Sequence, residues 1–245
     1  GLRFRDNLRQ ANVDKQFLLA AIHDGLDVSG DGVPDFDGSM LHYVGGSLGG
    51  IMGGEFTARS PELHTSVLLV PGARIVDILR EQEWMRALFI GATAGDLQRL
   101  YPVLQTSFDR GDPGAHAGGI LEGDDAPHLL MQVALDDNVV VNRTSVFFAQ
   151  TLKLPILGDV IVDLPGAPVE TDFPIALNRD NRLTAGFYAF DIICTDDSCT
   201  DTEPAGHRTT PFNVLATTQV MHFIDTLTLT GIPEVIDVYR TKGVK

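Results

Sequence analysis

Positive charge is scarce in this chain. Its 245 residues carry 18 Lys and Arg against 33 Asp and Glu, a formal net charge of −15. Nucleic acids and anionic membranes are held by clustered Lys and Arg, so the balance argues against both as partners. Long apolar runs are missing as well. No stretch approaches the roughly 20 residues of a membrane-crossing helix, so the chain reads as not transmembrane. Internal repeats, low-complexity tracts and obvious linkers are absent, which removes repeat architectures. No signal-peptide pattern is present. The opening GLRFRDNLRQ lacks a Met and is already helical in pattern, so it reads as a processed product or a fragment.

Cysteine is limited to Cys194 and Cys199, five residues apart in the polar stretch IICTDDSCT. Their proximity suggests a small disulfide that pins the loop, and with it an oxidising compartment. A zinc site is the weaker reading, because no second Cys or His pair with ligand spacing lies nearby. Two free thiols are the plain alternative.

What remains is an ordinary globular mixture, 44% hydrophobic with 25 Gly and 13 Pro, of a length for a single domain. Residues 5–23 place Leu8, Ala11, Phe17, Leu18, Ala21 and Ile22 at helical spacing. Apolar runs at 40–46, 65–73, 128–137 and 183–192 read as buried strands. Helical patterns over 48–59, 74–90, 93–108, 142–152 and 211–229 separate or follow them. The stretches 153–183 and 193–210 read as irregular excursions, the first with room for a small hairpin. Strands alternating with helices predict an α/β fold, a mostly parallel sheet with helices on both faces.

The sharpest motif is YVGGSLGGIMGG at 43–54, in which Gly45, Ser47 and Gly49 fit G-x-S-x-G between a strand and a helix. That is the setting of a nucleophile elbow, where small neighbours let a serine occupy a strained turn. The N–H of Leu48 would then face a developing oxyanion. A phosphate-binding turn is the competing reading, but neither G-x-G-x-x-G nor a following Lys-Ser/Thr is present.

A nucleophilic serine needs a base and an acid, which follow in the order Ser, Asp or Glu, His on this scaffold. LLMQVALDDNVVVNRTS offers Asp136 and Asp137 after a strand. Asp137 fits the offsets to Val139-Val140 and to the helix at Asn142 better, although either could be a plain strand-end carboxylate. Five histidines lie upstream of the acid. Of the two downstream, His222 falls within a helix, whereas His207 sits in the loop TEPAGHRTTPF, free to reach a serine. Asn142-Arg143-Thr144 is a formal glycosylation triplet of a kind that often arises by chance, and it carries no weight.

A second signal is DVSGDGVPDFDG at 27–38. Oxygen side chains at Asp27, Ser29, Asp31 and Asp35, a glycine at the sixth position and the Val33 carbonyl match the first half of a calcium loop. Position twelve is Gly38, not the bidentate Glu. A structural Ca²⁺ is therefore weighed against a solvated acidic turn.

Together the elbow GGSLGG, the segment DDNVVVNRTS and the segment GHRTTPFNVLATTQVMHF resemble bacterial secreted or lipid-anchored lipases and esterases of the α/β-hydrolase superfamily, close to the virulence-factor lipases. In these an acidic stretch often precedes the elbow strand. The resemblance implies carboxylic-ester hydrolysis of small-molecule or lipid esters by Ser47, Asp137 and His207, with no cofactor for catalysis. It also implies a secreted or cell-surface bacterial protein. Two departures stand out. Gly46 precedes the nucleophile where such lipases often have His. The usual N-terminal strands and the oxyanion loop that gives a second N–H donor have no counterpart before residue 5. Loss of one such donor costs about 3 kcal/mol of transition-state stabilisation. The family pattern thus leads us to expect an N-terminally truncated single domain, with a complementing N-terminal segment or second chain as partner. A non-catalytic calcium-binding or surface-interaction module on the same scaffold is the rival expectation. Peptidase or thioesterase chemistry would use the same three residues.

Overall fold

The structure is a computed structural model and describes residues 2–244. Its apolar runs form β1 (Leu41–Gly46), β2 (Leu63–Leu69), β3 (His128–Ala134), β4 (Ile156–Leu157), β5 (Val169–Glu170) and β6 (Ala185–Phe190). These make one sheet in the order β1-β2-β3-β6-β4-β5, with every neighbouring pair parallel. The fold is α/β, a parallel sheet flanked by helices, as expected. β1 occupies one edge of the sheet and is less buried than β2, β3 or β6.

The helices are α1 (Leu2–His23), α2 (Leu48–Ala58), α3 (Ile75–Leu79), α4 (Glu83–Leu88), α5 (Ala94–Phe108), α6 (Asn142–Leu152), α7 (Val214–Thr230) and α8 (Val238–Lys242). Because strand side chains alternate, the sheet builds a core on each face. On one, Val67, Leu130 and Phe190 pack with Leu215, Phe223, Val238 and Tyr239 of α7 and α8. On the other, Leu68, Leu129, Met131 and Phe187 pack with Phe148 and Leu152 of α6. Helix α1 is tied to α2 by a buried pair, Asn12 donating to Glu55 at 2.7 Å.

Three expectations need correction. The 153–183 stretch is not outside the sheet: it supplies β4 and β5, so there are six strands where the apolar runs gave four. Two residues each are too few to show a period. The backbone holds them, through Phe187 N–H to Pro155 O at 2.9 Å and Gly158 N–H to Glu170 O at 2.7 Å. The helical stretch 74–90 is two helices, α3 and α4. The 193–210 stretch contains most of an antiparallel hairpin, β7 (Ile192–Cys194) with β8 (Thr202–Pro204), closed by the Cys194–Cys199 disulfide.

β3 begins at His128, whose Nδ1 accepts the Thr184 N–H at 2.9 Å. Burial, aided by the nearby His64 and Arg182 charges, pushes its pKa down to about 4 from 6.5. The unfolded chain therefore binds this proton more readily than the folded one. The stability contributed by neutral His128 is complete above about pH 6.5 and is lost as pH falls toward about 4. Thermal melts of His128→Asn and wild type between pH 7 and pH 4 should show a steeper fall for wild type. Parallel curves would refute this.

Candidate active site

Ser47 lies where β1 turns into α2, with φ 54° and ψ −117°. A non-glycine residue there is strained by about 1–3 kcal/mol, which the surroundings must hold in place. They do so from both sides. Ser47 N–H donates to Leu69 O of β2 at 2.9 Å, and Ile51 N–H donates to Ser47 O at 2.9 Å. Tyr43 Oη donates to Gly49 O at 2.7 Å, bracing the first turn of α2.

The close approach of strand and helix demands glycine, though not at both positions that the motif suggests. A Cβ on Gly45 would sit 2.6 Å from Gly49 O, and one on Gly50 would sit 2.9 Å from Leu69 O. A Cβ on Gly49 would meet nothing nearer than 3.9 Å. Gly45 and Gly50 make the turn possible; Gly49 has room.

A serine at a helix N-cap ordinarily accepts an N–H of the first turn. Ser47 makes no such bond. Its Oγ lies 2.7 Å from His207 Nε2 instead. On the far side of the ring, His207 Nδ1 lies 2.8 Å from Asp137 Oδ2. The other carboxylate oxygen of Asp137 accepts Val139 N–H at 2.9 Å and Val140 N–H at 2.7 Å. With Nδ1–H donating to the carboxylate, Nε2 is left to accept the serine hydroxyl proton. Asp137 and His207 are each 8% exposed, which shields the pair from competing water.

Three expected residues thus converge, and the alternatives do not. Asp136 is exposed, and its backbone bridges Gly206 at the start of the His207 loop. His222 sits on α7 with Nε2 3.5 Å from Glu234. Leu48, the residue expected to supply an oxyanion donor, is the first of α2, where an amide has no intrahelical acceptor.

The cysteine loop also belongs to the site's architecture. Asn213 caps α7 by accepting Leu215 N–H at 3.1 Å, and it grips the disulfide strand by accepting Cys194 N–H at 3.3 Å and donating to Cys194 O at 2.6 Å. The His207 loop runs between these two anchors. Asn213 was not legible as a clamp in sequence, because its partner is a backbone brought close only by the hairpin.

Above Ser47 opens a cavity of about 820 Å³ lined by Val44, Leu69, Val139, Pro211, Phe212, His207 and Arg208. Phe212, 86% exposed, projects at its mouth.

The expected calcium ligands Asp27, Ser29, Asp31, Val33 and Asp35 share one exposed loop, in which Ser29 Oγ donates to Asp27 Oδ1 at 3.2 Å. Asp27 accepts N–H groups from Gly30 at 2.6 Å and Gly32 at 2.7 Å; Asp35 accepts those of Val28 at 2.6 Å and Ser29 at 2.8 Å. The Gly32 amide chiefly holds the Asp27 carboxyl below the usual range, and the Ser29 amide does so for Asp35. Among the described residues, no three His, Cys, Asp or Glu side chains form a metal-binding group, and no helix is long and apolar enough to cross a membrane.

No family model matches the chain, and no curated protein matches it. Among solved structures it is similar to a puromycin-hydrolyzing peptidase of Mycobacterium tuberculosis, at 17% identity and a TM-score of 0.40 over 71% of this chain. The match spans only 20% of that protein's chain.

The geometry of the turn makes a direct prediction. Gly45→Ala should destabilise the protein by about 1–3 kcal/mol through overpacking, and Gly49→Ala by clearly less, as read from denaturant melts. Equal losses would contradict the assignment of Gly45 as the crowded position.

Proposed function

We propose that this chain is a serine hydrolase of carboxylic esters, acting through a covalent acyl-enzyme. The observation that carries the reading is the unbroken hydrogen-bonded line from Ser47 Oγ through His207 to Asp137 Oδ2, opening onto a largely apolar cavity. In this scheme His207 Nε2 takes the hydroxyl proton as Ser47 Oγ bonds to the ester carbonyl carbon. Asp137 holds the ring and stabilises the imidazolium. The Leu48 N–H, at the N-terminus of α2, stabilises the oxyanion. Collapse breaks the bond to the leaving alkoxide, which takes the proton from His207. Water then attacks the acyl carbon, delivering a proton to His207, and Ser47 recovers it as the Oγ–acyl bond breaks.

Small-molecule and lipid esters both suit the apolar walls, and catalysis calls on no cofactor. A complementing segment or second chain giving a second oxyanion donor belongs to the same proposal. The Cys194–Cys199 bond supports work outside a reducing cytoplasm, in keeping with a secreted or cell-surface bacterial protein. The rival reading, a binding module, expects a filled cavity or an averted histidine. The open cavity and the 2.7 Å serine–histidine distance favour the enzyme.

Assays with 4-nitrophenyl esters and a fluorophosphonate probe test it. Wild type should hydrolyse the ester and be labelled on Ser47. Ser47→Ala should lose at least about 10³-fold in kcat, and Asp137→Asn about 10⁴-fold by favouring the wrong histidine tautomer. A folded protein that resists labelling would sink the reading.

A further inference from the structure

We propose that Arg208 makes the cavity above Ser47 selective for substrates bearing a carboxylate close to the scissile ester. The inference rests on the hydrolase reading above and names a substrate class for it.

Arg208 follows His207 in the chain and lines the same cavity. The other lining side chains are apolar or belong to the Ser47–His207 pair: Val44, Leu69, Val139, Pro211 and Phe212 carry no charge. In a chain of net charge −15, carboxylates to pair with an arginine are plentiful, and several arginines use them. Arg59 pairs with Glu55, Arg74 and Arg80 with Asp77, and Arg143 with Glu81. Among the described residues, the Arg208 side chain makes no hydrogen bond or ion pair. Arg208 is exposed, so its five N–H donors are open to a ligand that enters the cavity.

Each turnover places a positive charge on His207, and a neighbouring guanidinium opposes that charge. A substrate carboxylate would neutralise Arg208 as it binds and lift the opposition. The planar guanidinium suits a carboxylate because two parallel N–H donors meet its two oxygens. Apolar walls beside it keep water from screening the pair as fully as on an open surface. Val44 and Phe212, both exposed at the cavity, would take the apolar portion of such a molecule. The carboxylate could belong to the acyl part or to the leaving group, and matched substrates separate the two.

The test uses the purified chain and two matched pairs. One pair is 4-nitrophenyl hydrogen succinate and the matching 4-nitrophenyl succinamate, with the charge on the acyl side. The other is 4-acetoxybenzoate and 4-acetoxybenzamide, with the charge on the leaving group. Wild type should prefer the carboxylate member of one pair by about tenfold in kcat/KM, expressed mainly in KM. The preference should shrink as salt is raised, a reading that needs no variant. Arg208→Gln should bring the ratio within that pair close to one, Arg208→Lys should keep part of it, and Arg99→Gln, on the exposed face of α5, should leave it unchanged. No preference in either pair, or a preference that survives Arg208→Gln, overturns this inference while leaving the Ser47-dependent hydrolysis intact. Hydrolysis of none of the four esters, or hydrolysis that survives Ser47→Ala, overturns the hydrolase reading and this one with it.

Discussion

The contact between His207 and Ser47 is the constraint on which the rest of the structure depends. It joins residues 160 positions apart at 2.7 Å, and the two sit on different elements. For the contact to form, the turn after β1 must lift the serine, the segment after β3 must present Asp137, and the loop before α7 must bring the imidazole between them. A parallel sheet does this naturally, because its strands all end on the same side and its ligand-facing loops gather there.

Each of the three supports has its own mechanical anchor. Ser47 is fixed through Leu69 O and by the closeness of Gly45 and Gly50 to their neighbours. Asp137 is fixed by the Val139 and Val140 amides, which leave one oxygen aimed at the ring. The His207 loop has the most elaborate hold. The disulfide-closed hairpin fixes one end, Asn213 fixes the other, and Asp136 bridges Gly206 in between. Together with the turn bonds from Thr209 and Thr210 N–H to Gly206 O, these anchors give the loop a defined path, which general-base geometry requires.

Much of this was legible in the residues. The elbow is a local pattern: glycines around a serine, after a strand and before a helix. The order of acid and base along the chain reduced seven histidines to two, and the choice between Asp136 and Asp137 rested on their offsets to Val139 and Asn142. β4 and β5 were illegible because two residues carry no period, and their places are set by backbone pairing, β4 onto β6 and β5 onto β4. The break between α3 and α4 is hidden by the helical pattern that runs across it. Asn213 and Arg208 were silent for another reason: the first acts on a backbone group nineteen residues away, and the second gains its meaning from the cavity around it. In the acidic loop the spacing resembles a cation site, and the structure adds that the carboxylates of Asp27 and Asp35 accept backbone amides of the loop.

The central claim is that Asp137 holds His207 in the tautomer with the proton on Nδ1, leaving Nε2 open to Ser47. Proton NMR of the imidazole reads this directly. The account predicts a His207 Nδ1 proton far downfield of the amide region at neutral pH, correlated to that nitrogen by ¹⁵N labelling and lost in Asp137→Ala. A His207 ring whose proton resides on Nε2 at neutral pH, with no Asp137-dependent downfield signal, would contradict it.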